Sequence, residues 1–197
     1  MLLMLRKVLT AAALIAAFLA GQAHAADLVI GLGADVTTID PYILNAAPNN
    51  SIAEQVFGAL VERDAKQRFK PGLAESWRLI NDTTWEFKLR RGVKFHDGTE
   101  FTAEDVAASF SPQRMFGDTR PTVQGQTLPL SGQIVSSTAS KDLPREIPPV
   151  ARRLFPAFDR VEIVDKYTVR MVNAAPDVTL EGRLSELGAG IISQRGF

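Results

Sequence analysis

The chain has 197 residues, with 22 Lys or Arg against 22 Asp or Glu, two His and no Cys. Balanced charge without a basic stripe excludes a nucleic-acid surface, and the absence of cysteine excludes disulfides, so an exported form must be held by its core alone. Two histidines with neither cysteine nor a suitably spaced partner make a poor ligand set for a protein-built metal site.

Arg6-Lys7 supplies a positive start, residues 8–20 are apolar apart from Thr10, and Ala23-His24-Ala25 fits a small-x-small cleavage pattern. This predicts a secretory signal peptide over residues 1–25, cleaved after Ala25. The apolar run is too short to span a bilayer, which takes about 20 residues. Cleavage removes His24 and two of the 22 basic residues, leaving a slightly acidic chain. Without a cysteine at the cleavage site there is no lipid anchor, so the expected product is a free periplasmic protein that does not span the membrane.

Residues 28–33, Leu-Val-Ile-Gly-Leu-Gly, read as a buried strand, and 35–41 as its turn-rich exit, with Asp40 a turn former before Pro41. Ser51-x-x-Glu54 is a capping-box pattern that predicts a helix from Ile52. Ile52, Val56, Ala59 and Leu60 would then share one helical face. Residues 62–69 are polar and read as a connection.

The stretch from Pro71 to Val106 carries the clearest pattern. Trp77 and Leu79, then Trp85, Phe87 and Leu89, fall at alternating positions with Arg78, Glu86, Lys88 and Arg90 between them. Such alternation sets one face on a core and the other in water. Asn81-Asp82-Thr83 supplies the hairpin turn. Val93 and Phe95 alternate again before His96-Asp97-Gly98 ends the strand, Asp-Gly being a strong turn signal. Thr102-x-x-Asp105 is a second capping pattern and predicts a helix from Ala103, with Glu104 and Asp105 where the helix dipole favours negative charge. A His and an Asp near two further acids raise general acid/base chemistry as a possibility. The pattern favours an exposed turn histidine and carboxylates that serve the helix start. The chain has no G-x-S-x-G elbow, no Cys nucleophile, no H-E-x-x-H and no base partner for a serine. No catalytic residue, metal site or cofactor is expected.

From Ser111 the character changes. Residues 111–156 contain seven prolines and no sustained period, and read as loop or poor order. Order returns with a hairpin in which Val161 and Ile163, then Tyr167, Val169 and Met171, alternate around Asp165-Lys166. Residues 179–187 suit a short helix with Leu180, Leu184 and Leu187 on one side, and 188–193 a final strand.

The long central string resembles the peptide/nickel family of extracytoplasmic solute-binding proteins, family 5. The residues that carry the likeness are Pro71, Leu73-Ala74-Glu75-Ser76-Trp77, Trp85, Phe87, Leu89-Arg90, Gly92-Val93-Lys94-Phe95-His96-Asp97-Gly98, Phe101-Thr102-Ala103 and Asp105-Val106. Upstream, Thr38-Ile39-Asp40-Pro41 resembles an "LDP" segment and residues 56–61 the family's first helix; downstream, residues 161–170 resemble a later hairpin. The resemblance implies a mixed α/β chain, an incomplete two-lobed fold of the periplasmic-binding-protein type II kind with β-hairpins and short helices. It implies this division: signal peptide 1–25, start of the first lobe 26–49, a hairpin-rich subdomain 50–175 with 111–157 irregular, and a truncated return to the first lobe 176–197. The implied function is the substrate-binding subunit of an ABC importer for peptides or peptide-like solutes, impaired in binding alone, working with a permease in the inner membrane. Dipeptides, longer peptides, glutathione, opines and nickel chelates all have carriers in the resembling family. Ligand contact is expected at Gly33, Ala34, Asp35 and Val36, where an extended ligand can pair with backbone; the alternative is an ordinary surface turn. Two other functions remain open from residues alone: an exported interaction module docking through unpaired strand edges, and a secreted hydrolase.

Overall fold

A computed structural model of the chain describes residues 29–31, 33–42, 46–116, 122–123, 126–127, 147–186 and 189–196. The signal-peptide reading, His24 and the Ala25 cleavage point lie outside the described residues. Contacts divide the chain into two units, Met1–Leu32 and Gly33–Phe197. In the first, residues 29–31 form no strand, and Val29 and Ile30 are exposed. The buried strand expected over 28–33 is therefore not formed at its described positions: no described strand pairs with them. Leu28 and Leu32 lie outside the described residues.

The second unit is built around an antiparallel four-stranded sheet. Its strands, with the hairpin that precedes them, are β1 (Val61–Arg63), β2 (Phe69–Pro71), β3 (Ala74–Asn81), β4 (Thr84–Leu89), β7 (Phe158–Asp165) and β8 (Thr168–Asn173). The large sheet has the order β3-β4-β8-β7, and β1 and β2 pair separately. Two-residue strands β5 (Thr122–Val123) and β6 (Gln126–Thr127) form a third, minimal ladder. The helices are α1 (Ala47–Val56), α2 (Ala103–Ser109), α3 (Pro112–Phe116), α4 (Ile147–Leu154) and α5 (Leu180–Arg183), with a 3-10 turn at Gln194–Gly196.

Register follows from the alternation of side chains. Trp77 stands opposite Phe87 and Leu79 opposite Trp85; Phe87 and Trp85 then face Val169 and Met171, which face Ile163 and Val161. A slip of one residue would turn every one of these to the other face. On this face Trp85, Phe87, Leu89, Val169 and Met171 are buried in one core with Val106, Phe110, Phe116 and Phe155 from the helical layer and Phe158 from the start of β7. Phe110 meets Phe155 edge-on at 5.6 Å between ring centroids, a favoured aromatic geometry. Trp77 is half-buried, and its indole N–H donates to Glu181 Oε2 at 2.5 Å. Both the predicted hairpins and the Asp82-Thr83 turn are present.

The opposite face departs from the expected row of solvated charges. Arg78, Glu86, Arg170 and Glu162 lie directly opposite one another across the four strands. Arg78 donates to Glu86 Oε1 at 2.7 and 3.1 Å, and Arg170 to Oε2 at 3.0 Å. The two guanidiniums cover the carboxylate, so Glu86 is only 5% exposed.

Six further expectations need correction. First, α1 starts at Ala47, a full turn before Ile52, because Pro48 fixes the helical φ in the first turn; Ser51 lies inside the helix, its hydroxyl donating to Ala47 O at 3.0 Å. Second, α1 ends at Val56, so residues 57–60 are not helical, Val56 is exposed, and the shared face with Ala59 and Leu60 does not form. Third, the polar stretch 62–69 is a β1–β2 hairpin, closed by Asp64, whose carboxylate accepts the Lys66 and Arg68 N–H groups. Fourth, α3 and α4 stand inside the stretch from Ser111 that lacks periodicity; Pro112, Pro148 and Pro149 occupy first turns, where no N–H is needed. Fifth, residues 189–193 form no strand: the Ile191 N–H bonds to Gly58 O and the Ile192 N–H to Ser109 Oγ, which is anchoring without a ladder. Residues 93–95 likewise reduce to one bridge, Lys94 with Glu100.

Other elements follow their local signals. Helix α2 begins at Ala103, with the Asp105 carboxylate accepting the Thr102 N–H at 2.9 Å. Gly98 turns the chain at φ 85° after Asp97, a conformation glycine adopts without steric cost. Leu180 and Leu184 are buried together as expected; Leu187 lies outside the described residues.

Candidate functional site

The predicted contact segment, Gly33 to Val36, is a bend followed by extended chain. Gly33, Ala34 and Asp35 are exposed and Val36 is half-buried. A side chain built at Gly33 would meet nothing within 4 Å. The segment projects from a base held at two points. At the first, Thr37 and Asn49 bond reciprocally: the Thr37 N–H donates to Asn49 Oδ1 at 3.1 Å, and the Asn49 amide donates to Thr37 Oγ1 at 3.2 Å. Asn49 is buried in α1, where a polar side chain needs such a partner.

The second point is Tyr42. Its N–H bonds to Asp40 Oδ1 at 2.9 Å, which confirms Asp40 as a turn former. Its hydroxyl donates to Gly190 O at 2.5 Å. The Arg114 guanidinium lies 4.7 Å from the Tyr42 ring centre and 3.5 Å from Asp40 Oδ2. Burial pushes the Tyr42 phenol far above its ordinary range, so it stays a neutral donor. Burial also draws Arg114 below its usual value, with Tyr42 and Asp40 acting the other way. Gly190 must be small here: a Cβ would come within 2.9 Å of Phe57 Cβ and 3.2 Å of Pro41 Cβ. Four segments far apart in sequence thus meet beside the exit. No local pattern announces Tyr42, Asn49 or Arg114.

Two hollows flank this base. One, of about 430 Å³, is lined by Pro41, α1, the β1–β2 hairpin and by Ser185, Glu186 and Gly190. The other, of about 350 Å³, is mainly apolar, with Phe57, Leu73, Phe95 and Phe101 in its wall and His96 and Asp97 also lining it. Asp97 serves its turn: its carboxylate accepts the Thr99 hydroxyl and N–H, which hold it below the usual carboxylate range. His96 is exposed, as expected of a turn residue. Among the described residues, no group of three or more His, Cys, Asp or Glu could hold a metal ion. Nor is any helix among them long and apolar enough to cross a membrane.

Residues 68–196 match the family model described as bacterial extracellular solute-binding proteins, family 5 middle. The chain belongs to this family. Its members are solute-binding proteins, not enzymes. The glutathione-binding protein GsiB of Escherichia coli is 38% identical over 106 residues, which are 53% of this chain and 21% of that protein. The chain therefore aligns with about a fifth of the length of that relative. Among solved structures, the periplasmic binding protein DppA of Helicobacter pylori, in complex with the peptide STSA, superposes with a TM-score of 0.60 at 21% identity. It matches 83% of this chain and 30% of that one. MoaA of A. tumefacien, in complex with mannopinic acid, gives 0.60 at 26% identity, over 83% of this chain and 28% of that one. The mixed α/β fold is thus that of part of a two-lobed periplasmic binding protein.

Proposed function

We propose that this chain acts as the solute-binding component of an ABC importer for peptides or peptide-like solutes, exported by the signal over residues 1–25 with cleavage after Ala25 and working with an inner-membrane permease. The family match over residues 68–196 carries the reading. GsiB, a glutathione-binding protein by name, supports a small peptide-like solute. The division proposed along the chain is a first-lobe start over 26–49, a subdomain over 50–175 and a return towards the first lobe over 176–197.

Gly33, Ala34, Asp35 and Val36 are the proposed solute contacts. Exposed backbone on a fixed base suits strand-like pairing with an extended ligand. A Cβ built at Gly33 would meet nothing within 4 Å, so the residues packed directly around this point give a ligand no enclosure. A cleft binds tightly by enclosing its ligand, so the 197-residue polypeptide by itself should bind its solute only weakly.

The test is uptake. Deleting the gene from its source strain should reduce import of labelled glutathione or of labelled di- and tripeptides to background, and a plasmid copy should restore it. Unchanged uptake of every one of these solutes would refute the reading.

A further inference from the structure

The larger hollow has a property that solute capture at Gly33–Val36 does not use. Its apolar lining comes from Ala53, Phe57 and Val61, on α1, the residue after it and β1. Its charged lining is acidic on balance. Glu62 is neutralised by Lys70 at 2.8 Å, Asp64 by Arg68 at 2.6 Å, and Glu186 by Arg63 at 3.1 Å. Arg63 is fixed further by a bond from Nε to Ser185 Oγ at 2.9 Å and by lying over the Phe69 ring at 4.8 Å. Each cation there is thus already engaged. Glu54 also lines the hollow; it is exposed, and it has no partner among the described residues.

We propose that this hollow is a binding site for a small organic ammonium with a short apolar body. The body would rest on Phe57, which is half-buried, and the ammonium on the exposed Glu54 carboxylate. At about 430 Å³ the space falls within the range of small-molecule sites, roughly 300–1,000 Å³. A carboxylate ligand is disfavoured, since it would meet Glu54 unmatched and find Arg63 already held by Glu186. The site is separate from the Gly33–Val36 contact, so its failure would leave the import reading untouched.

Titration of the ¹⁵N-labelled chain with phenethylamine, 2-phenylethanol and 3-phenylpropionate, followed by amide chemical shifts, tests the proposal. Phenethylamine should shift the Glu54, Phe57 and Ser185 amides and saturate in the millimolar range. The alcohol should bind about threefold to fivefold more weakly, as one exposed ion pair allows, and the carboxylate more weakly still. Glu54→Gln touches no partner, so it should leave the fold intact and bring amine and alcohol to equal affinity. Glu62→Gln, at a carboxylate already matched by Lys70, should leave the preference for amine in place. Equal binding of the three ligands by the unaltered chain, no binding at all, or a preference for amine that survives Glu54→Gln would overturn it.

Discussion

Replacing Glu86 by Gln tests the charge row on the open face of the sheet. The substitution keeps size and shape but removes the charge that Arg78 and Arg170 grip. Arg170 bonds to Oε2 at 3.0 Å and is 39% exposed, which suggests about 1 kcal/mol for its share. Arg78 makes two bonds to Oε1 but is 70% exposed, so water screens it and about 0.5–1 kcal/mol is reasonable. The expected loss is therefore about 2 kcal/mol at neutral pH, or a fall in Tm of about 4–8 °C for a chain of this size. The effect carries a pH signature. Hydrogen bonds from Arg78 and then Arg170 hold the Glu86 carboxyl below its ordinary value in the folded chain. A depressed folded value means that the contribution is complete well above the unfolded value, about 4.3. It is lost as pH falls through the folded value, because the unfolded chain takes up the proton first. Urea denaturation of both proteins at several pH values reads this directly. The gap between them should be constant from about pH 6 to 8 and narrow below about pH 4.3. A gap under about 0.5 kcal/mol at pH 7, the size typical of an uninvolved surface change, would refute the reasoning; so would a gap of undiminished size at pH 3.

Three other substitutions probe the backbone and the base of the exit. Gln67 is exposed at φ 62°, in the left-handed region, so Gln67→Gly should raise stability by about 1 kcal/mol in urea denaturation. At Gly72 a Cβ would lie 2.5 Å from Ala59 O, so Gly72→Ala should cost about 1–3 kcal/mol, read as an earlier urea midpoint with an unchanged slope. Tyr42→Phe removes the bond to Gly190 O and should cost about 1–1.5 kcal/mol near pH 7. Because the folded phenol is held protonated, the unaltered chain should also lose stability as pH rises past about 10, where an unfolded tyrosine ionises; Tyr42→Phe should lack that one contribution.

The two long hairpins were legible because their information is local. Period-two alternation around Asn81-Asp82-Thr83 and Asp165-Lys166 fixes strand, face and turn together. The same alternation misplaces Glu86, since it cannot tell a solvated acid from one flanked by arginines on both neighbouring strands. Competing local signals explain the start of α1: Ser51-x-x-Glu54 is a good capping pattern, but Pro48 and Asn49 begin the helix a turn earlier, and Asn49 is buried against Thr37. The seven prolines of residues 111–156 count towards a reading of loop or poor order, whereas Pro112, Pro148 and Pro149 stand in the first turns of helices. At the candidate site, Gly33 to Val36 was legible only as an exposed strand exit. Its supports were not: the bond from Tyr42 to Gly190 spans 148 residues, and the ion pair of Arg114 with Asp40 joins positions on either side of β3 and β4.

The most direct test of where this chain meets its solute is a titration of the ¹⁵N-labelled polypeptide with glutathione and with a set of di- and tripeptides, observing backbone amides. Weak, millimolar-range binding of at least one of them, with the largest shifts at Gly33, Ala34, Asp35 and Val36, is the predicted result. Shifts that leave those four amides unmoved at saturating ligand would contradict their role, and micromolar affinity would contradict the claim that this polypeptide encloses its solute only in part.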